Sequence, residues 1–182
     1  MTTDIVRRLY EALPPARAWI DQFLADHAST AQPITSLGCT RLAACFPPEF
    51  LEKSKIVRVN RVIVPPVEQF GLPEFSFIHR ERFEGITFKD TIFIRRDMNY
   101  EGLYFHELVH VAQWARLGVD NFLLAYGLGL SQHSYRNSPF ESMAYTLQTQ
   151  FEADTLQSDL IAHIGHLTDL VWADAQRILK RP

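Results

Sequence analysis

Phe105-His106-Glu107-Leu108-Val109-His110-Val111 places an H-E-x-x-H pattern inside an apolar run from Leu103 to Trp114. On a helix, residues four apart lie one above the other on the same face. His106 and His110 can therefore turn two imidazole nitrogens toward one ion, at the roughly 2.0–2.1 Å that zinc prefers. Glu107 lies about 100° further round, too far to be a matching ligand. It is well placed to hold and deprotonate a water beside the ion, as the general base of a metal-dependent hydrolase. The run is apolar nearly all round, so the helix is expected to be buried. Two histidines and a glutamate there need coordination or hydrogen-bond partners. A pair of satisfied core histidines beside a solvent-facing glutamate is the competing reading.

Strand-like sequence precedes this helix. Ile56-Val-Arg-Val-Asn-Arg-Val-Ile-Val64 is rich in β-branched residues and ends at Pro65-Pro66, which predicts a strand. Phe75–His79 is a weaker strand candidate. Ile86–Phe88 and Thr91–Ile94 flank Lys89-Asp90, and form either a hairpin or one bent strand. Upstream, Ile5, Leu9 and Leu13 at four-residue spacing predict a short amphipathic helix. Pro14-Pro15 should interrupt it before the pattern resumes through Trp19, Ile20, Phe23 and Leu24. Residues 28–38 read as a loop, Thr40–Cys45 as a helical piece, and Pro48 as the start of a helical turn. Downstream, Gly118 suits a helix stop, and Asp120 could cap a second helix carrying Phe122, Leu123 and Tyr126. Gly127–Asn137 reads as a loop. A long helix follows from Ser138-Pro139 to about His163, then a last one over roughly Asp169–Leu179. The expected architecture is α+β in a single domain over residues 1–182: a helical part (1–54), about three or four strands (55–96), and the H-E-x-x-H helix with further helices (97–182).

Composition fits that picture. The 182 residues are 47% hydrophobic and 21% charged, with a formal net charge of -3 and no dense Lys/Arg block. Nucleic-acid binding thus has no electrostatic footprint. No stretch reaches the roughly 18 apolar residues needed to span a bilayer, and the first residues lack an uninterrupted apolar h-region. Cys39 and Cys45 form neither a disulfide framework nor a Cys-x-x-Cys pair. A cytoplasmic protein without nucleic-acid or membrane partners is expected.

A catalytic zinc ion needs a third protein ligand and an open position. Glu141, in Asn137-Ser-Pro-Phe-Glu-Ser-Met-Ala-Tyr145, is the leading candidate and would complete a His₂Glu site. The same residues also spell a capping box, in which Glu141 reaches back to the Ser138 amide. His133, in the preceding loop, is the other candidate ligand. Glu152 and Asp154 are explained by an exposed helix face, and His163 and His166 by a helix C-terminus. Gln113, Asn137 and Asp97 are available to orient the imidazoles.

His106-Glu107-Leu108-Val109-His110, followed by Gly118, Phe122, Tyr126, Tyr135, Asn137, Pro139, Glu141, Ala144 and Tyr145, resembles compact bacterial zincin-like domains. These carry HELVH-x-x-Q on a helix and an N-P-x-E-x-x-A-Y stretch downstream, and belong with the gluzincin-type metallopeptidases. The resemblance spans about Ile86 to Glu152. This chain differs in having Ser138 between Asn137 and Pro139, and in lacking the second motif of thermolysin-like enzymes. The resemblance implies a zincin fold, with the strand before the active helix lining the cleft. It also implies Zn2+ on His106, His110 and Glu141 with Glu107 as base, and a peptide or protein substrate. Tyr126, Tyr135, His133 and Tyr145 are candidate oxyanion donors. Tyr135 is preferred because it lies in a polar loop. The alternative function is a zincin-fold module that binds metal or a protein partner without catalysis. A small-molecule amidohydrolase on the same centre is a third, and no residue speaks for it.

Overall fold

A mixed four-stranded sheet packs against a bent central helix in this computed structural model, which describes residues 2–180. The strands are β1 (Gln32–Pro33), β2 (Lys55–Val59), β3 (Gly85–Phe88) and β4 (Thr91–Arg95), in the order β1-β2-β4-β3. β2 and β4 are parallel, and the outer pairs are antiparallel. The helices are α1 (Thr2–His27), α2 (Thr40–Cys45), α3 (Pro48–Lys53), α4 (Glu101–Gln132), α5 (Pro139–Glu152) and α6 (Leu160–Leu179). The class is α+β.

The hairpin reading of 86–94 holds. β3 and β4 pair from Gly85↔Ile94 to Phe88↔Thr91, and Lys89 makes the turn with φ 56°. β4 is buried through Ile92, Phe93 and Ile94, so its run is apolar on both faces. β3 is a sheet edge and lies against α4. It is this edge strand, rather than β4 immediately before the helix, that faces the H-E-x-x-H residues.

Several elements depart from the sequence reading. Helix α1 runs through Pro14-Pro15 instead of breaking there. Leu9 and Ala12 before the prolines, and Ile20 after them, are all buried. Packing on both sides of the pair thus outweighs the lost backbone donors. β2 stops at Val59 rather than Val64, because its parallel partner ends at Arg95, opposite Val59. Pro73–Arg80 is a 3-10 helix, not a strand, and buries Phe75 and Ile78. Their three-residue spacing is the period at which 3-10 side chains line up.

Gly118 does end a helical arm, with φ 71° and ψ 174°, but the chain turns straight into a second arm, so α4 is one bent element. Residues 127–132 are helical rather than a loop. A Cβ on Gly127 would meet Leu9 Cδ2 at 2.5 Å, and one on Gly129 would meet Pro139 Cδ at 2.9 Å. Those glycines serve close packing, not a turn. α5 ends at Glu152, and Asp154 and Asp159 take left-handed backbone (φ 52° and 58°) before α6 begins.

Candidate functional site

The first arm of α4 is buried from Gly102 to Trp114. Helix α4 packs against α5, α6, α1 and β3. His106 and His110 project from one face of it, with their Nε2 atoms 3.2 Å apart. Glu141 sits in the first turn of α5, where the positive end of the helix dipole favours a carboxylate. Its Oε2 lies 3.4 Å from His106 Nε2 and its Oε1 3.4 Å from His110 Nε2. The capping-box role is not taken: Ser138 makes no side-chain cap bond, and its hydroxyl donates to the Tyr135 carbonyl at 2.8 Å.

Second contacts fix the chemistry of the two imidazoles. Gln113 Nε2 donates to the Phe140 carbonyl (3.3 Å) and to Met143 Sδ (3.2 Å), leaving its Oε1 to face His110 Nδ1 at 2.8 Å. Gln148 Nε2 donates to Glu152 Oε1 (2.8 Å), leaving its Oε1 3.2 Å from His106 Nδ1. Each Nδ1 therefore carries its proton toward an amide oxygen. In the neutral imidazoles both Nε2 lone pairs are then bare, and they face each other and a carboxylate. Glu141 Oε2 has no hydrogen-bond donor although it is buried. Three acceptors converge, and a proton or a cation is required among them.

The spacing suits a cation. Two ligands at about 2.0–2.1 Å from a tetrahedral ion lie roughly 3.3–3.4 Å apart, and the contacts here are 3.2, 3.4 and 3.4 Å. His106, His110 and Glu141 could hold a metal ion, and they form the one such group among the described residues.

Without an ion the same crowding appears as altered acidity. Burial opposes charge on His110, but the Glu141 carboxylate outweighs it and brings the imidazole up to about 9. Burial likewise works against the Glu141 carboxylate, yet the two histidines hold it well below the ordinary range.

Glu107 points elsewhere. Its Oε2 accepts from Thr87 Oγ1 at 2.7 Å. A Cβ on Gly85 would come within 2.5 Å of its Oε1, so only glycine leaves room there. Burial raises its pKa, against the pull of His106 and His110. Tyr126 donates to Glu141 Oε1 at 2.7 Å, which makes it an orienting group for that carboxylate. Tyr135 is half-buried and packs edge-on against Phe83 at 5.0 Å. Burial and then the Glu141 charge keep both phenols well above their ordinary values, so both remain protonated donors.

Glu107, His110, Glu141, Tyr126 and Tyr135 line one end of a cavity of about 170 Å³. Tyr145 packs its ring on His106, 4.5 Å between centroids, and the Arg136 guanidinium lies over the Tyr145 ring at 4.5 Å.

Other candidates fall away from the centre. His133 is exposed at the end of α4. Asn137 bonds Ser134, and Asp97 pairs with Arg95. His163 and His166 lie on α6. Sequence alone does not mark Gln148 or Thr87, because an amide and a hydroxyl acquire a role only through what they touch. Both cysteines are free, and no helix among the described residues is long and apolar enough to cross a membrane. In comparisons with family models, curated proteins and solved structures, nothing matches this chain.

Proposed function

We propose that this protein is a zinc-dependent peptidase of zincin type, with His106, His110 and Glu141 as ligands and Glu107 as general base. The observation that carries the reading is the convergence of three proton-poor acceptors beside a separately held, buried carboxylate. A structural metal site would need the first three groups only. When bound, the ion supplies Lewis-acid chemistry, polarising a carbonyl and acidifying a water.

The chain's own residues do the rest. Gln113 and Gln148 fix the imidazole tautomers. Tyr126 anchors Glu141. Thr87 holds Glu107 where it can take a proton from the attacking water and pass it to the leaving amine. Tyr135, a neutral donor at the cavity end, is assigned to the developing oxyanion. The edge strand β3 offers the extended backbone against which a peptide would lie.

One observation favours a second reading, a metal-binding module without catalysis. His106, Glu107, His110 and Glu141 are only 2–6% exposed, so little of the centre is open to a substrate. A single experiment separates the readings. Zinc content is measured by elemental analysis for the wild type, His106→Ala, Glu141→Ala and Glu107→Gln, each assayed against casein and a peptide library. About one zinc per chain, lost in the first two variants and kept in the third, with hydrolysis only in the wild type, supports the peptidase. Zinc without hydrolysis in any form leaves the binding module. A wild type that cannot be loaded with zinc overturns both.

A further inference from the structure

The sheet gathers arginines that are scattered along the sequence. β2 ends at Val59 opposite Arg95, and the Arg96 amide donates to the Val59 carbonyl at 2.8 Å. On the other side of β4, the Arg95 amide donates to the Glu84 carbonyl at 2.9 Å, where the chain enters β3. Arg58 and Arg61 arrive with the first of these segments, Arg80 and Arg82 with the second, and Arg95 and Arg96 lie between them. Two of the six serve the fold. Arg58 donates to the Met98 carbonyl at 2.5 Å and lies over the Tyr104 ring at 5.1 Å, and Arg95 pairs with Asp97 at 2.6 Å. Arg61, Arg80, Arg82 and Arg96 are exposed, and none of them makes an ion pair or a side-chain hydrogen bond among the described residues.

A chain of net charge -3 thus carries an excess of positive charge at this end of its sheet. The nearby carboxylates do not cancel it. Asp97 is taken by Arg95, and Glu84 accepts from the neutral Tyr100 hydroxyl at 2.6 Å. That leaves Glu81 and Glu84 interspersed among four free guanidinium groups. Two large apolar side chains are exposed beside them: Tyr100 at 43%, and Ile63, on the same connection as Arg61, at 44%. Arginine with an aromatic partner and no lysine is the composition of protein interfaces. The guanidinium fork matches a carboxylate in two parallel hydrogen bonds. A continuous phosphate backbone or an anionic membrane would meet Glu81 and Glu84 as well, whereas a peptide can place its carboxylates between them.

We propose that this end of the sheet docks an acidic segment of a partner protein. Its Asp and Glu side chains pair with Arg61, Arg82 and Arg96, and an apolar residue among them rests on Ile63 and Tyr100. The docked segment lies beside the candidate metal centre, because Phe83, next to Arg82, packs on Tyr135 at 5.0 Å. The inference stands apart from the peptidase reading, since docking needs neither metal nor turnover.

The test is fluorescence anisotropy with three probes: a labelled peptide of Asp and Glu around one Phe, a labelled oligothymidylate of equal charge, and labelled vesicles containing phosphatidylserine. The wild type should bind the peptide, more weakly as salt is raised, and in preference to the other two. Arg61→Glu, Arg82→Glu and Arg96→Glu each change an exposed side chain, so melting temperatures should stay close to wild type. Each should weaken peptide binding by about threefold to tenfold, and the triple variant should abolish it. Lys53→Glu, an exposed site beyond the opposite end of β2, makes the same change in net charge and should leave binding as it was.

Binding lost in the arginine variants and kept in Lys53→Glu supports the inference. A wild type that does not bind the peptide overturns it, as does equal weakening by Lys53→Glu, which would make the effect one of overall charge. Tighter binding of the oligothymidylate or the vesicles than of the peptide overturns it in favour of a phosphate-bearing partner. The same measurements on Glu107→Gln, which should match the wild type, keep the outcome separate from that of any peptidase assay.

Discussion

Glu107 and Glu141 are two buried carboxylates a short way apart whose surroundings push their acidities in opposite directions. Burial dominates at Glu107 and raises its pKa, while the two histidines win at Glu141 and lower its pKa. Such a split assigns different work to similar groups: one stays an anion and can ligate, the other is tuned to exchange a proton. Glu107→Gln keeps the shape and the Thr87 contact but cannot accept a proton. It should retain zinc and thermal stability close to wild type while kcat falls by about 10²–10⁴. Loss of zinc in that variant would mean that Glu107 is a ligand. Gln148 allows a matching test of the imidazole tethers, because it is only half-buried and its loss should spare the fold. Gln148→Ala frees the His106 ring, and zinc affinity should drop by about 10–100-fold when measured by competition with a chelator. An unchanged affinity would show that the His106 tautomer is held by something other than this amide.

At the scale of elements, the site is a meeting of three: α4, the first turn of α5, and the edge strand β3. Gly85 is the tightest point of that meeting, since a Cβ there would strike Glu107 Oε1 at 2.5 Å and Ile94 Cδ1 at 2.9 Å. Gly85→Ala should cost about 1–3 kcal/mol of stability through overpacking. On the proposed peptidase reading it should also reduce kcat more than zinc affinity, because the displaced group is the proposed base and not a proposed ligand. Equal loss of both would place the strain on the whole helix. Much of this meeting could be read from sequence. The H-E-x-x-H pair fixes its own geometry through the helix repeat, and Glu141 stands out as the first acidic residue of a Pro-started helix. The hairpin was also legible, since β-branched residues flank a two-residue gap. What could not be read was set by partners distant in the chain. The Pro14-Pro15 pair continues as helix because α1 is packed on both sides of it, through Leu9 and Ala12 before and Ile20 after. Residues 60–64 leave the sheet because β4 has no further residue to offer them. Gly127 and Gly129 look like loop residues until Leu9 and Pro139 are seen against them. Gln148 and Thr87 become site residues only once α5 and β3 are brought to α4.

For the molecule as a whole, a metal ion held by His106, His110 and Glu141 would couple metal binding, protons and folding. In the metal-free protein a proton on His110 satisfies the three converging acceptors, and Glu141 raises that imidazole to about 9 from its ordinary 6.5. Its stabilisation is fully present below about pH 6.5 and is lost as pH rises through about 9. The Glu141 carboxylate, held low, contributes above its ordinary 4.5 and loses that contribution only as the solution becomes strongly acid. The metal-free protein should therefore melt at its highest temperature between about pH 4.5 and 6.5, and progressively lower toward pH 9. Zinc replaces that proton, so its uptake between pH 6.5 and 9 should release about one proton per chain, and apparent affinity should rise about tenfold per pH unit across that window. Calorimetric titrations in buffers of different ionisation enthalpy, at pH 7 and 8, would measure the release directly. A loaded protein whose melting temperature stays level from pH 6.5 to 9, beside a metal-free one that declines, would show the ion and the proton competing for one place. Zinc uptake without proton release would mean that His110 is already neutral in the metal-free protein, and that burial, not Glu141, governs its charge.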